Sequence, residues 1–89
     1  MAKRNKLEII KDILTIIHSN HNSIKPTPLL RQSNISTARF KEYFNELLEK
    51  KFVKEVNNKK EKFISLTEKG FKFLEKYRTI VNFIDEFEL

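Results

Sequence analysis

Apolar residues in this chain recur first at helical spacing, then in two short β-like runs, then at helical spacing again. Leu7, Ile10, Leu14 and Ile17 follow a 3-4-3 pattern that lays them on one helical face. Ile9, Ile13 and Ile16 form a second stripe beside it, so this helix must be covered on two sides. The polar stretch Ser19-Asn20-His21-Asn22-Ser23 ends it. Lys25-Pro26-Thr27-Pro28 predicts the start of a short second helix, Pro28 to about Ser33, with Thr27 as N-cap, Pro28 at the first helical position and Leu29 and Leu30 facing inward. Asn34 tolerates the left-handed conformation of a tight helix-to-helix turn, and Ile35 can plug that turn.

Ser36 then caps a third helix, from Thr37 to about Lys51. At 100° per residue, Phe40, Tyr43, Phe44 and Leu47 share the core side, with Leu48 at its edge. Ala38, Lys41, Glu42, Asn45 and Glu49 take the opposite side, flanked by Arg39. The runs 52–56 and 62–66 are aromatic and β-branched enough for strands that fold back around Asn57-Asn58-Lys59-Lys60, where Asn57-Asn58 accepts turn conformations cheaply. A lone hairpin is marginal, so it must lie against the helices. Thr67 caps a last helix with Glu68 in its first turn. Gly70, inside that helix, lowers helix propensity by roughly 1 kcal/mol relative to alanine, which implies close backbone packing in return. Beyond it Phe73, Tyr77, Ile80, Ile84 and Phe87 repeat with 4-3-4-3 spacing, an a/d seam.

The fold class that results is mostly α with a small β-hairpin: a winged helix-turn-helix over residues 1–67 and a long dimerisation helix over 68–89, both within one compact unit. Eighty-nine residues bury a limited core, and a long apolar element left over finds a partner chain. No apolar run approaches the length of a membrane span. With no cysteine there is neither a disulfide framework nor a thiolate metal site, and an intracellular, cytoplasmic and nucleoid-associated protein is expected. His18 and His21 have no acidic or thiol partner near them, so they read as surface turn residues and no metal is assigned. No cofactor, small-molecule ligand or catalytic constellation is expected.

The net charge of +6 favours polyanions, and its distribution says where. Positive charge gathers in the first two-thirds, including the basic start Lys3, Arg4 and Lys6, which reads equally as a flexible arm or a solubilising end. The tail instead carries Asp85, Glu86 and Glu88. A recognition helix presents its first turns to base edges, and Ser36, Thr37, Ala38, Arg39, Lys41 and Asn45 occupy those positions. Arg39 is suited to guanine and Asn45 to adenine, each worth on the order of 1–3 kcal/mol of discrimination. Lys54, Lys59, Lys60 and Lys62 of the wing suit phosphates, although lysines also guard exposed strands. In the last helix, Lys69, Lys72, Lys76 and Arg78 come early and the acids late, so an antiparallel pair sets each acidic end beside the partner's basic half. About 22 residues at 1.5 Å each give roughly 33 Å, enough to separate two heads.

Thr27, Leu29, Leu30, Asn34-Ile35-Ser36 and Leu66-Thr67-Glu68-Lys69-Gly70, followed by Phe73-Leu74-Glu75, together resemble the archaeal winged helix-turn-helix proteins of about ten kilodaltons. The resemblance implies double-stranded DNA as partner, contacted by the third helix and the wing, and a homodimer through an antiparallel coiled coil. The chain departs from that family at Pro26, Pro28 and Glu42, where longer polar or basic residues are usual. The function expected is therefore sequence-specific or architectural DNA binding as a transcription regulator. The alternative is a winged-helix module for protein–protein contact.

Overall fold

The computed structural model describes residues 5–89. Lys3 and Arg4 of the basic start lie outside the described residues. Helices α1 (Lys6–Ser19), α2 (Pro26–Ser33) and α3 (Thr37–Glu49) precede strands β1 (Val53–Asn58) and β2 (Glu61–Leu66), and α4 (Glu68–Glu86) closes the chain. This is the winged-helix arrangement that the patterning predicts.

Helix α1 forms the centre. Asn5 caps it by accepting from the Glu8 N–H at 2.8 Å, a cap the apolar pattern does not reveal. Ile9, Ile10, Ile13, Leu14 and Ile17 are buried, so both predicted stripes go inward. Leu7 is the exception at 56% exposed, because the side of its turn that faces Ile10, Phe52 and Phe73 is an open groove. Leu29 of α2, Phe40 and Leu47 of α3, and Val53, Ile64 and Leu66 of the hairpin complete the core. Each such side chain contributes about 1.5–3 kcal/mol through burial.

One predicted detail is corrected at the start of α2, and another is narrowed in the wing. The helix starts at Pro26, with Lys25 at the N-cap position and no side-chain cap; Thr27 is already helical. Ile24 explains this, because it pairs with Ile64 through hydrogen bonds in both directions (3.2 and 2.7 Å) and holds the chain extended up to Lys25. Both prolines then fall in the first turn, where their missing N–H groups have no helical acceptor. In the hairpin, Asn57 and Asn58 are strand residues opposite Lys62 and Glu61. The turn is Lys59-Lys60, both left-handed (φ 49° and 71°), which is the two-residue loop whose twist matches antiparallel strands.

The remaining corners follow the sequence. Asn34 is left-handed (φ 57°, ψ 38°), Ile35 packs partly buried against the core, and the Ser36 hydroxyl accepts from the Arg39 N–H at 3.3 Å. Helix α3 stops two residues earlier than expected because Lys51 turns left-handed (φ 67°) and Phe52 donates its N–H back to Leu47 at 2.9 Å. Thr67 caps α4 through the Gly70 N–H (3.2 Å) and donates its hydroxyl to the Lys51 carbonyl. Gly70 is buried, and a methyl group there would collide with the Phe52 carbonyl oxygen. The Thr-Glu-Lys-Gly box is thus a clamp between the end of α3 and the start of α4, and Lys69 completes it by donating to the Lys50 carbonyl at 2.8 Å above the Phe52 ring.

Candidate nucleic-acid interface

The outward face of α3 is laid out as its periodicity requires. Ser36, Thr37, Ala38, Arg39, Lys41 and Asn45 are all exposed, on a helix anchored beneath by Phe40 and Leu47. Phe40 stacks on Phe44, one turn along the same helix, with ring centroids 5.4 Å apart, and both rings pack against the core. The N-terminal turn has no acidic residue of its own, so no carboxylate within it offsets the positive end of the helix dipole. Glu42 is exposed on the same face and is the acid among these cations.

Arg39 is less free than its exposure suggests. Its guanidinium lies 5.8 Å from the Tyr43 ring centroid and donates to the Tyr43 hydroxyl at 3.4 Å. Tyr43, assigned by periodicity to the core, is only partly buried and also positions Arg39. The i, i+4 spacing of an arginine and a tyrosine on one helix is the sequence signal for that contact.

Lys54, Lys59, Lys60 and Lys62 are exposed along the wing. Lys62 is held by Glu55 on the opposite strand at 3.1 Å, and the nearby Lys25 by Glu61 at 3.0 Å. Among the described residues, the side chains of Lys41, Asn45, Lys54, Lys59 and Lys60 make no hydrogen bond or ion pair. The four ammonium groups and the Asn45 amide are available without breaking an internal contact. Only the corner 50–52 separates α3 from β1, so the two basic elements belong to one rigid corner.

Other charges are tied down elsewhere. Lys6 and Lys50 both donate to Glu46 (2.8 and 2.9 Å), which holds the Glu46 carboxyl below its ordinary value and raises Lys6. Hydrogen bonding to Asp12 likewise raises Lys11. His18 packs edge-on against Phe71, and His21 occupies a left-handed turn position. No group of three or more His, Asp or Glu side chains gathers among the described residues as a metal set. No described helix is long and apolar enough to cross a membrane.

The winged helix-turn-helix family is matched over residues 3–85, and the chain belongs to it. Sso10a-2, a DNA-binding protein from Sulfolobus solfataricus, is similar in structure with a TM-score of 0.74 at 18% identity, covering 96% of this chain and 86% of that one. F93 from STIV, a winged-helix DNA-binding protein, aligns with a TM-score of 0.73 at 21% identity over 89% of this chain and 91% of its own. SSV1 F-93 reaches 27% identity with a TM-score of 0.68, over 90% and 88%. No curated protein matches the sequence.

Proposed function

We propose that this protein binds double-stranded DNA as a homodimer and regulates transcription. Residues 1–67 form the reading domain and 68–89 the dimerisation helix. Ser36, Thr37, Ala38, Arg39, Lys41 and Asn45 enter the major groove, Arg39 and Asn45 reading base edges, while Lys54, Lys59, Lys60 and Lys62 grip phosphates. Phe73, Tyr77, Ile80, Ile84 and Phe87 form the seam between subunits. Binding and positioning are its work; the reading assigns it no catalytic step and no cofactor.

The wing tip carries this reading. Lysine at φ 49° and 71° sits where glycine or asparagine fits best, at a cost on the order of 1 kcal/mol per residue. Two lysines kept at the tip against that preference, with unpaired ammonium groups, favour a polyanion as the surface they meet. The description of Sso10a-2 and of F93 as DNA-binding proteins supports the same conclusion. Glu42 and the Glu55–Lys62 and Glu61–Lys25 pairs favour the second reading, a surface for protein contact, because they dilute the positive field.

Salt-titrated binding to a random-sequence duplex separates the two. Measurable affinity at about 50 mM salt, falling steeply as salt rises, is the expected result. No affinity at that salt concentration would sink the DNA reading. Replacing Arg39 and Lys41 by alanine should weaken binding, and an unchanged affinity would remove them from the interface.

A further inference from the structure

The open groove beside Leu7 and the bare end of α4 are complementary, and the symmetry of the seam brings them together. The groove has a volume of about 290 Å³, walled by Leu7, Ile10, Phe52 and Phe73 and rimmed by Lys6 and Lys50. Glu46 lies at the rim too, but it is engaged by both lysines, so the rim keeps a net positive charge. Phe73, Ile80 and Phe87 are spaced by seven and form one stripe of α4. The groove sits at the first end of that stripe. Phe87, 58% exposed and backed by the Phe83 ring at 4.8 Å, stands at the other, between Glu86 and Glu88.

A two-fold axis through Ile80 exchanges the ends of the stripe. It carries Phe87 of one copy to Phe73 of the other, and Glu86 and Glu88 toward Lys6, Lys50 and the basic first half of α4. We propose that Phe87 of a second copy of this chain seats in the groove between α1 and α4 of the first, and reciprocally. The inference rests on the antiparallel homodimer proposed above and adds α1 and Phe52 of the reading domain to its interface. Each head is then fixed relative to the coil, rather than hanging from it, because the partner's tail touches the same Phe52 whose carbonyl packs against Gly70. The spacing between the two recognition helices becomes a property of the interface.

The chain contains no cysteine, which makes the arrangement directly testable. A Leu7→Cys, Phe87→Cys double variant should form a covalent dimer under mild oxidation. Within one chain Phe87 lies about 21 Å along the helix from Phe73, beyond disulfide reach of Leu7, so only a link between copies is possible. Ile80→Cys reports the two-fold pairing alone. Crosslinking through Ile80→Cys without crosslinking of the double variant overturns the groove docking and leaves the dimer standing. A sedimenting monomer that crosslinks in neither case removes both, and self-linking of the single Phe87→Cys variant means a parallel pair and overturns the docking. As a check that needs no cysteine, Phe87→Ala should weaken dimerisation roughly 10- to 100-fold. Leu89→Ala, 81% exposed and off the stripe, should leave it nearly unchanged; equal effects of the two would also overturn the docking.

Discussion

Ile13 and Leu14 of α1 are completely buried, whereas Ile80, Phe83, Ile84 and Phe87 of α4 stay exposed, although both sets recur at helical spacing. The difference lies in what surrounds them. Helix α1 is wrapped by α2, α4 and β2, while every residue of α4 beyond Tyr77 is exposed. The fold of one chain accounts for the first set and leaves the second without a use. Acids at the end of α4 also oppose its dipole, so neither packing nor charge favours this helix end in a single chain. The contrast teaches that the domain is complete as a fold but incomplete as a surface, and the substitutions below are chosen to separate those two properties.

The largest effect is expected from Ile80→Asp with Ile84→Asp. Two carboxylates in the proposed seam should abolish dimerisation while leaving the far-ultraviolet circular dichroism of the domain nearly intact. Sedimentation should show a monomer, and a persistent dimer would refute the seam. Melting temperature should also depend on concentration in the unaltered protein and lose that dependence in the variant. Leu14→Ala should do the reverse, costing about 2–5 kcal/mol of unfolding free energy through the cavity it leaves. If Leu14→Ala were tolerated as readily as Ile84→Ala, the division into a packed body and a bare tail would fail.

Gly70 sits where the two regions join. Alanine would gain about 1 kcal/mol of helix propensity, but its methyl meets a backbone carbonyl that cannot rotate aside. The clash should win, for a net destabilisation of about 1–3 kcal/mol in denaturant titration. Net stabilisation would show that the start of α4 can shift away from Phe52.

How much of this was legible in the sequence depends on whether local chemistry or distant pairing decides. Asn34, Ser36, Thr67 and Gly70 are read correctly because each answers a local backbone demand: a left-handed turn, two caps and a close approach. The outward placement of Arg39, Lys41 and Asn45 follows from periodicity alone. The start of α2 is missed because the Ile24–Ile64 bridge, forty residues apart in sequence, fixes it. The turn falls within the expected 57–60 span but is confined to Lys59-Lys60, because strand register overrides the local preference of Asn57-Asn58. Tyr43 shows a third kind of gap: the pattern gives its face but not that its hydroxyl reaches Arg39. Leu7 is misassigned for a similar reason, since whether a helical face is covered depends on how α1 and α4 dock.

The wing tip offers a substitution in which stability and binding should move in opposite directions. Lys59→Asn with Lys60→Gly supplies the residues that a left-handed two-residue turn favours. The domain should gain on the order of 1 kcal/mol in thermal unfolding. The same change removes two cations per subunit, so the salt dependence of DNA binding should fall by about two contacts per subunit. A loss of stability would mean the lysines serve the fold, and an unchanged salt slope would exclude the tip from the phosphate contact.

The smallest effect concerns Glu46, which joins α1 to the end of α3 through Lys6 and Lys50. Hydrogen bonds from those lysines lower its carboxyl below the ordinary 4.5, so the stability it contributes is present above that pH and is lost as pH falls through the depressed value. Lys6 is raised above the ordinary 10.5, so its share is present below that pH and lost only as pH climbs past the raised value. Glu46→Gln should therefore lower the melting temperature slightly across the neutral range, with the difference closing in acid. The site is exposed, so the difference should also vanish near 1 M salt, where the screening length is about 3 Å. A deficit that survived both acid and high salt would mean that Glu46 works through packing at the groove and not through charge. That outcome would tie it to the partner's tail, and comparison of the variant in monomeric and dimeric protein would show it.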